Sequence, residues 1–232
     1  EIVRIITPGT VMESKSLGET ANNYIVCLTE DDAPDAYGFA ACDLSTGELY
    51  VTRLGGSIGQ VIDELNVYKP SELIGAAALL NAVREQGAAW AKPLAMTEWT
   101  ERAEERVMQH FDRETLEGLP AVCRDAVALL MGYLAETQKR ALSHIKQIRR
   151  YEPEQFMTMD PFTRRNLELT ETVRDRSKKG SLLWLLDETV TAMGARRLRR
   201  WIEQPLLKRN QIEERLEAVD CLYNQLIVRE EI

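Results

Sequence analysis

Three short runs of β-branched and aromatic residues, set apart by turn-forming residues, constrain this chain more than any other feature. Asn23 to Thr29, Tyr37 to Leu44 and Glu48 to Leu54 each carry the residue types and bounded length of a strand. Ser45-Thr46-Gly47 joins the last two, a loop so short that the strands must pair antiparallel. The acidic stretch Glu30 to Asp35, with Pro34, separates the first two, so an antiparallel three-stranded meander is expected. Beyond Gly55-Gly56, Ile58, Val61, Ile62 and Leu65 recur at helical spacing. Glu72 to Ala76 then reads as a strand buried on both faces, Leu79 to Gln86 as a helix and Ala88 to Met96 as another short strand. Ahead of the meander, the apolar run Ile2 to Ile6 ends in T-P-G-T, where Pro8-Gly9 marks a turn.

From Val107 the pattern turns helical. Val122, Ala126, Leu129, Leu130, Tyr133, Leu134, Ala141, Ile145 and Ile148 recur every three or four residues and predict a helix of about 25 residues, ~38 Å long. Lys139, Arg140, Lys146, Arg149 and Arg150 ring its end, either complementing its C-terminal dipole or meeting nucleic acid. The short run Leu182, Leu183, Trp184, Leu185 and Leu186 is apolar all round, which predicts burial, with Ser181 as its N-cap. Next, Gly194, Leu198, Trp201, Ile202 and Pro205 share one helical face, opposite Arg196, Arg197, Arg199, Arg200 and Glu203. That arginine face reads as a phosphate-binding patch, or else as a solvated face or a set of internal ion pairs. Gly194 costs about 1 kcal/mol of helix propensity and points to a close backbone approach, while Pro205 ends the helix near Gln204. Asn210 with Glu213 forms a capping-box variant before a last helix lined by Ile212, Leu216, Val219, Tyr223 and Leu226. The division expected is an α/β domain over 1–106 and an all-α domain over 107–232. The first residue is Glu1 rather than Met and the last lies inside a helical pattern, which reads as a piece of a longer protein.

Composition narrows the function. With 232 residues, 44% hydrophobic and 28% charged, the chain has the make-up of an ordinary globular protein of two domains. A net charge of −8 argues against the whole surface being a nucleic-acid clamp. Cys27, Cys42, Cys123 and Cys221 are far apart with no C-x-x-C pair, and His110 and His144 are the only histidines, so neither a zinc site nor a disulfide framework is expected. The chain has no run of apolar residues long enough for a membrane span and no secretory signal, and the expected location is the cytoplasm.

From Asp160 to Leu206 the chain carries, in order, N-L-E-L-T-E, a Leu-rich block before T-A-M-G, and R-R-W-x-x-Q-P-L. This stretch resembles the segment that opens the helical core domain of the MutS family of mismatch-recognition proteins. I-V-R-I-I-T-P-G-T, N-N-Y-I-V-C-L and K-P-S-E-L-I, nearer the start, resemble that family's connector domain. The resemblance is weakest from Leu79 to Leu119. It implies a ribonuclease-H-like connector with a mixed sheet, the architecture that a meander followed by helix–strand alternation also points to, and then part of a helical core domain. It further implies a dimeric ATP-dependent parent that binds mismatched DNA and recruits MutL through the connector. The family's ATP and magnesium belong to a domain downstream of this segment, so no cofactor, catalytic, metal or DNA-binding residue is assigned here. The junction from Val107 to Ala121 is where coupling between connector and core is expected.

Two other functions stay open on the residues. Nucleases of the ribonuclease-H-like fold gather carboxylates around two metal ions. The candidates would be Asp43, Glu48 and either Asp63 or Glu64, which otherwise simply flank a hairpin turn and a solvated helix. A MutS paralogue acting in recombination is the second. No G-x-x-x-x-G-K-[ST] loop is present; Gly55-Gly56-Ser57-Ile58-Gly59 lacks the lysine. Phe39, Phe111, Phe156 and Phe162 are each followed by residues that break a Phe-x-Glu wedge.

Overall fold

The computed structural model describes residues 5–10, 22–86, 94–138, 142–225, 227 and 229. They fall into two compact units: Glu1–Pro153 with Thr189–Arg196, and Glu154–Glu188 with Arg197–Ile232.

The first unit is built on the meander. β1 (Tyr24–Glu30), β2 (Ala36–Asp43) and β3 (Glu48–Gly55) pair antiparallel, with Cys27 opposite Ala40 and Ala41 opposite Tyr50. α1 (Ile58–Tyr68) leads to β4 (Glu72–Gly75), which lies parallel to β1; α2 (Ala77–Gln86) precedes β5 (Ala95–Glu98), parallel to β4. The expected strand over Ala88 to Met96 thus starts at Ala95, and residues 87–93 lie outside the described residues, as does Ile2 to Arg4 of the first apolar run. α3 (Glu104–His110), α4 (Arg113–Glu117) and α5 (Ala121–Gln138) follow. A sixth strand, β6 (Ile148–Arg150), adds in parallel beside β3 and completes the order β5-β4-β1-β2-β3-β6. The mixed sheet is the ribonuclease-H-like order with an extra strand at the outer edge of the meander.

Alternation along the strands gives each face its own cover. Ile25, Cys27, Ala40, Cys42, Leu49, Val51 and Ile74 pack under α5, whose Val122, Ala126, Leu130 and Leu134 are buried against them. On the opposite face, Tyr24, Phe39 and Tyr50 gather around the Tyr68 ring of α1, at centroid distances of 5.0, 5.3 and 6.2 Å.

Two expectations are corrected here. Among the described residues the long helix covers Ala121–Gln138, Ala141 lies outside them, and Ile148 belongs to β6, because the apolar spacing of Ile145 and Ile148 comes from a buried loop residue and an edge strand. Lys146, Arg149 and Arg150 therefore do not ring a helix end, and Lys139 and Arg140 lie outside the described residues. The division expected at 106/107, and the junction expected from Val107 to Ala121, fall inside the first unit. Val107, Phe111, Leu116, Leu119 and Val122 all belong to its core. The onset of helical pattern marks a sheet cover rather than a new domain.

In the second unit, α6 (Pro161–Asn166) is capped by Asp160, whose carboxylate accepts from the Phe162 and Thr163 amides at 2.9 and 3.0 Å. The N-L-E-L-T-E segment meets α7 (Leu182–Leu186) through Leu182 and Leu183 amides donating to the Glu168 and Leu169 carbonyls at 3.1 and 2.8 Å. Ser181 caps α7 as expected, its hydroxyl oxygen accepting from the Trp184 amide at 3.2 Å. The burial expected for α7 is not found: Leu183 is buried, while Leu182, Trp184, Leu185 and Leu186 are exposed, since a five-residue helix turns only one side to its own unit. α8 (Ala192–Glu203), whose residues up to Arg196 are counted with the first unit and the rest with the second, ends one residue before Gln204, ahead of Pro205. Gly194 meets the Thr189 and Thr191 side chains rather than another backbone. α9 (Arg209–Asn224) starts after Lys208, not Asn210, and no side chain caps it; Glu213 instead accepts from Arg209 at 2.7 Å.

Candidate functional site

The densest polar arrangement in the first unit surrounds Glu72. An acid at the head of an apolar strand, with Ile25 of β1 as its register partner, must point to one face or the other of a sheet covered on both. Glu72 points to the α5 side and is 1% exposed. Its Oε1 accepts from the Tyr133 hydroxyl of α5 at 2.5 Å and the Thr97 hydroxyl of β5 at 3.0 Å. Its Oε2 accepts from the Thr7 hydroxyl and, at 3.0 Å, from the Gly9 amide. A carboxylate is acceptor-only with about four lone-pair sites, and four donors occupy them here. Burial first, and the bond to Glu72 next, push the Tyr133 phenol up to about 12.

The turn from Thr7 to Thr10 is fitted to this acid. The Thr7 amide donates to the Thr10 hydroxyl oxygen at 2.8 Å, and the Thr10 amide returns to the Thr7 carbonyl at 3.0 Å. Gly9 is required by space: a β-carbon there would lie 2.9 Å from Glu72 Cβ, Glu72 Oε2 and Ile25 Cβ alike. Asn23 donates to the Pro8 carbonyl at 3.0 Å and accepts from the Ser71 hydroxyl at 2.5 Å. The Ile5 amide donates to the Thr137 carbonyl at the end of α5, at 2.8 Å. T-P-G-T, N-N-Y-I-V-C-L and K-P-S-E-L-I thus converge on one polar seam, in which every lone pair of the acid is used for holding and none is left for a metal or a substrate proton.

The carboxylates considered for a nuclease are placed otherwise. Asp43 and Glu48 do face each other across the hairpin. Asp43 is fully buried, however, and accepts from the Ser45 amide and hydroxyl at 2.9 and 2.6 Å and from Asn22 Nδ2 and the Asn23 amide at 2.7 and 3.3 Å. Glu48 accepts from the Tyr50 hydroxyl at 2.9 Å and from Arg149 at 3.1 Å. Glu64 is buried and accepts from the Tyr151 hydroxyl at 2.6 Å, whereas Asp63, its neighbour on α1, is exposed. Among the described residues no group of three or more His, Cys, Asp or Glu side chains is placed to hold a metal ion.

Of the arginine face, Arg197, Arg199 and Arg200 are engaged within the second unit. Arg197 and Arg215 lie over the Trp201 ring at 5.5 and 4.4 Å from its centroid. Arg199 pairs with Glu203 at 3.7 Å, and Arg200 donates to Gln204 at 3.1 Å. Burial, then the Arg197 and Arg200 charges, pull Arg215 below its usual range. Arg149 and Arg150 of the first unit are likewise spent locally, Arg149 on Glu48 and Tyr50, Arg150 on the Gly118 carbonyl at 3.3 Å.

Sequence reasoning passed over Glu72, Thr7 and Tyr133 as a group. The signal was present, since a strand read as buried on both faces begins with an acid, and a buried acid demands donors.

Residues 23–146 match MutS domain II, and residues 162–232 match MutS domain III. The first match lies within the first unit. The DNA mismatch repair protein MutS of Brevibacillus brevis is 46% identical over 234 residues, covering 100% of this chain and 26% of that protein. Those of Ruminiclostridium cellulolyticum and Staphylococcus epidermidis are 39% and 40% identical, covering 100% and 99% of this chain and 27% and 25% of their own lengths. The chain therefore spans about a quarter of the length of these curated relatives.

Proposed function

Since this chain belongs to the MutS family and comprises its connector and core domains, we propose that it is the mechanical middle of a mismatch-repair protein. It joins a mismatch reader to the elements that run to an ATPase, and it offers MutL a docking surface on the first unit. The observation that carries this reading is the seam at Glu72. A buried acid with all its lone pairs engaged fixes the segment entering the sheet to both β5 and α5, which is the work of a joint. The piece itself is non-catalytic. The carboxylates that would serve a nuclease are turned to separate donors, which leaves that alternative without a centre. The relatives are named as mismatch-repair proteins, which favours that role over recombination. Mismatched DNA, ATP with magnesium, and homodimer formation belong to the longer protein. The place of action is the cytoplasm. In support, the four cysteines are free thiols.

The test is calorimetric titration of purified MutL from the same source into this chain. Saturable one-to-one binding, weakened by charge reversals on the surface of the first unit, is the expected result. Heats indistinguishable from dilution would remove the docking role.

A further inference from the structure

We propose that Glu72 is a two-way latch: the seating of the Thr7–Thr10 turn and the hold of β4 and β5 on the second half of α5 depend on one another through its carboxylate. The inference concerns this chain's own residues and stands whether or not the first unit binds MutL.

One side of the carboxylate belongs to the entering segment. Oε2 takes the Thr7 hydroxyl and the Gly9 amide, and the Thr7 hydroxyl also lies within hydrogen-bonding reach of the Tyr133 phenol beside it. The other side belongs to the body of the unit, where Oε1 takes Tyr133 of α5 and Thr97 of β5. A carboxylate is a rigid plane. Rotating it to follow one pair of donors moves its other oxygen away from the other pair, and in a buried site water does not replace the lost bonds. Tyr133 is further held by the Trp99 ring, edge-on at 5.4 Å, and the Trp99 amide donates to the Gly75 carbonyl at the end of β4 at 3.0 Å. The entering segment and α5 also share a direct bond, from the Ile5 amide to the Thr137 carbonyl. The seam therefore closes a loop of contacts, Thr7 to Glu72 to Tyr133 along α5 to Thr137 and back to Ile5. A closed loop of this kind transmits displacement in both directions, and coupling between two sites is reciprocal by thermodynamic necessity.

Gly9 supplies a way to open the latch from the side of the turn. The β-carbon of Gly9→Ala would meet Glu72 and Ile25 at 2.9 Å and so push the turn away from the sheet. Tyr133→Phe opens it from the other side by deleting one hydroxyl. Amide hydrogen exchange on the 232-residue chain reads both. The reporters are Ile5, Gly9 and Thr10 on one side and Thr137 and Gln138 on the other, with Ala40 in the centre of β2 as the reference for global opening. Tyr133→Phe is expected to speed exchange at Gly9 and Thr10 by at least about fivefold, the low end of ordinary couplings. Gly9→Ala is expected to speed exchange at Thr137 and Gln138 by the same factor, with Ala40 unchanged in both. The double variant is expected to exchange no faster at Thr10 than Gly9→Ala alone. Thr7→Val, which removes one hydroxyl, and with it the bonds to Glu72 and Thr10, at nearly constant shape, repeats the first-side test should Gly9→Ala unfold the chain. Loosening confined to the mutated side would overturn the latch, as would an equal rise at Ala40.

Discussion

Gly38 of β2 lies directly against the Val122 carbonyl at the start of α5, where a β-carbon would stand 2.3 Å from the oxygen. Its register partner Thr29 donates its hydroxyl to that same carbonyl at 3.0 Å. The first turn of α5 is thus seated on the sheet by one missing side chain and one hydroxyl. Gly38→Ala should lift the helix start or bend β2 and cost about 3 kcal/mol, the upper end of ordinary overpacking. Thr29→Val should cost only ~1 kcal/mol, since a carbonyl at a helix start keeps its intrahelical partner. Urea midpoints of the two variants give the ranking, and equal losses would contradict it.

The extent of the first domain leads to a sharper expectation. α5 supplies the cover for one whole face of the sheet, including Ile25, Cys27, Ala40, Cys42, Leu49, Val51 and Ile74. A chain ending after residue 106 would leave that face to water. A chain of residues 1–153 should unfold cooperatively in urea, whereas residues 1–106 should bind a hydrophobic dye and lack a transition. Cooperative unfolding of the shorter piece would restore the boundary that the change in pattern implies.

That boundary shows where the sequence was legible and where it was not. The meander was readable to within a residue or two, because bounded runs of strand-forming residues and the short S-T-G turn leave one way to pair. Helix α1 was readable from the spacing of its apolar residues. Spacing alone could not tell that α5 serves the sheet, because an apolar helix face does not state what it packs on. Nor could it separate Ile145 and Ile148 from the helix, since two apolar residues three apart fit a loop and an edge strand as well. For α7 the inference failed in the other direction: five apolar residues in a row signal a covered segment, yet only Leu183 finds cover within its own unit. At the Glu72 seam the motifs were visible and their convergence was not, because donors from Thr7, Thr97 and Tyr133 come together only once the parallel strands are in place.

Alkaline pH should weaken the first unit through two of its tyrosines. Burial, foremost, keeps the Tyr151 phenol protonated well beyond its usual range, and Tyr133 is pushed up to about 12. In the unfolded chain both titrate near ~10. Below that pH both states carry the proton and the tyrosines' contribution to stability is whole. As pH rises above it, the unfolded state binds fewer protons than the folded one, so the unfolding free energy falls until the folded groups titrate too. Urea midpoints should therefore decline more steeply above pH ~10, on top of the decline that the buried Cys27, Cys42 and Cys123 thiols, likewise pushed up by burial, begin near ~8.5, and Tyr133→Phe and Tyr151→Phe should each make the decline above ~10 shallower. A decline of unchanged slope in both variants would place its origin elsewhere.

β6 is held to the sheet edge by two side chains of unequal worth. Arg149 pairs with Glu48 at 3.1 Å, and its own side chain is 47% exposed. An ion pair open to solvent contributes ~0–1 kcal/mol and fades with salt, so Arg149→Ala should cost little, and less still at high ionic strength. Tyr151, just past the strand, instead donates at 2.6 Å to Glu64, a carboxylate that is only 7% exposed. Removing a donor from a buried charged oxygen costs about 1–3 kcal/mol. Tyr151→Phe should therefore destabilise the unit by more than Arg149→Ala, with no dependence on salt. Urea unfolding of both variants at low and high salt decides the matter. If Arg149→Ala proved the costlier change, the hold on β6 would be electrostatic at its surface rather than anchored beneath it.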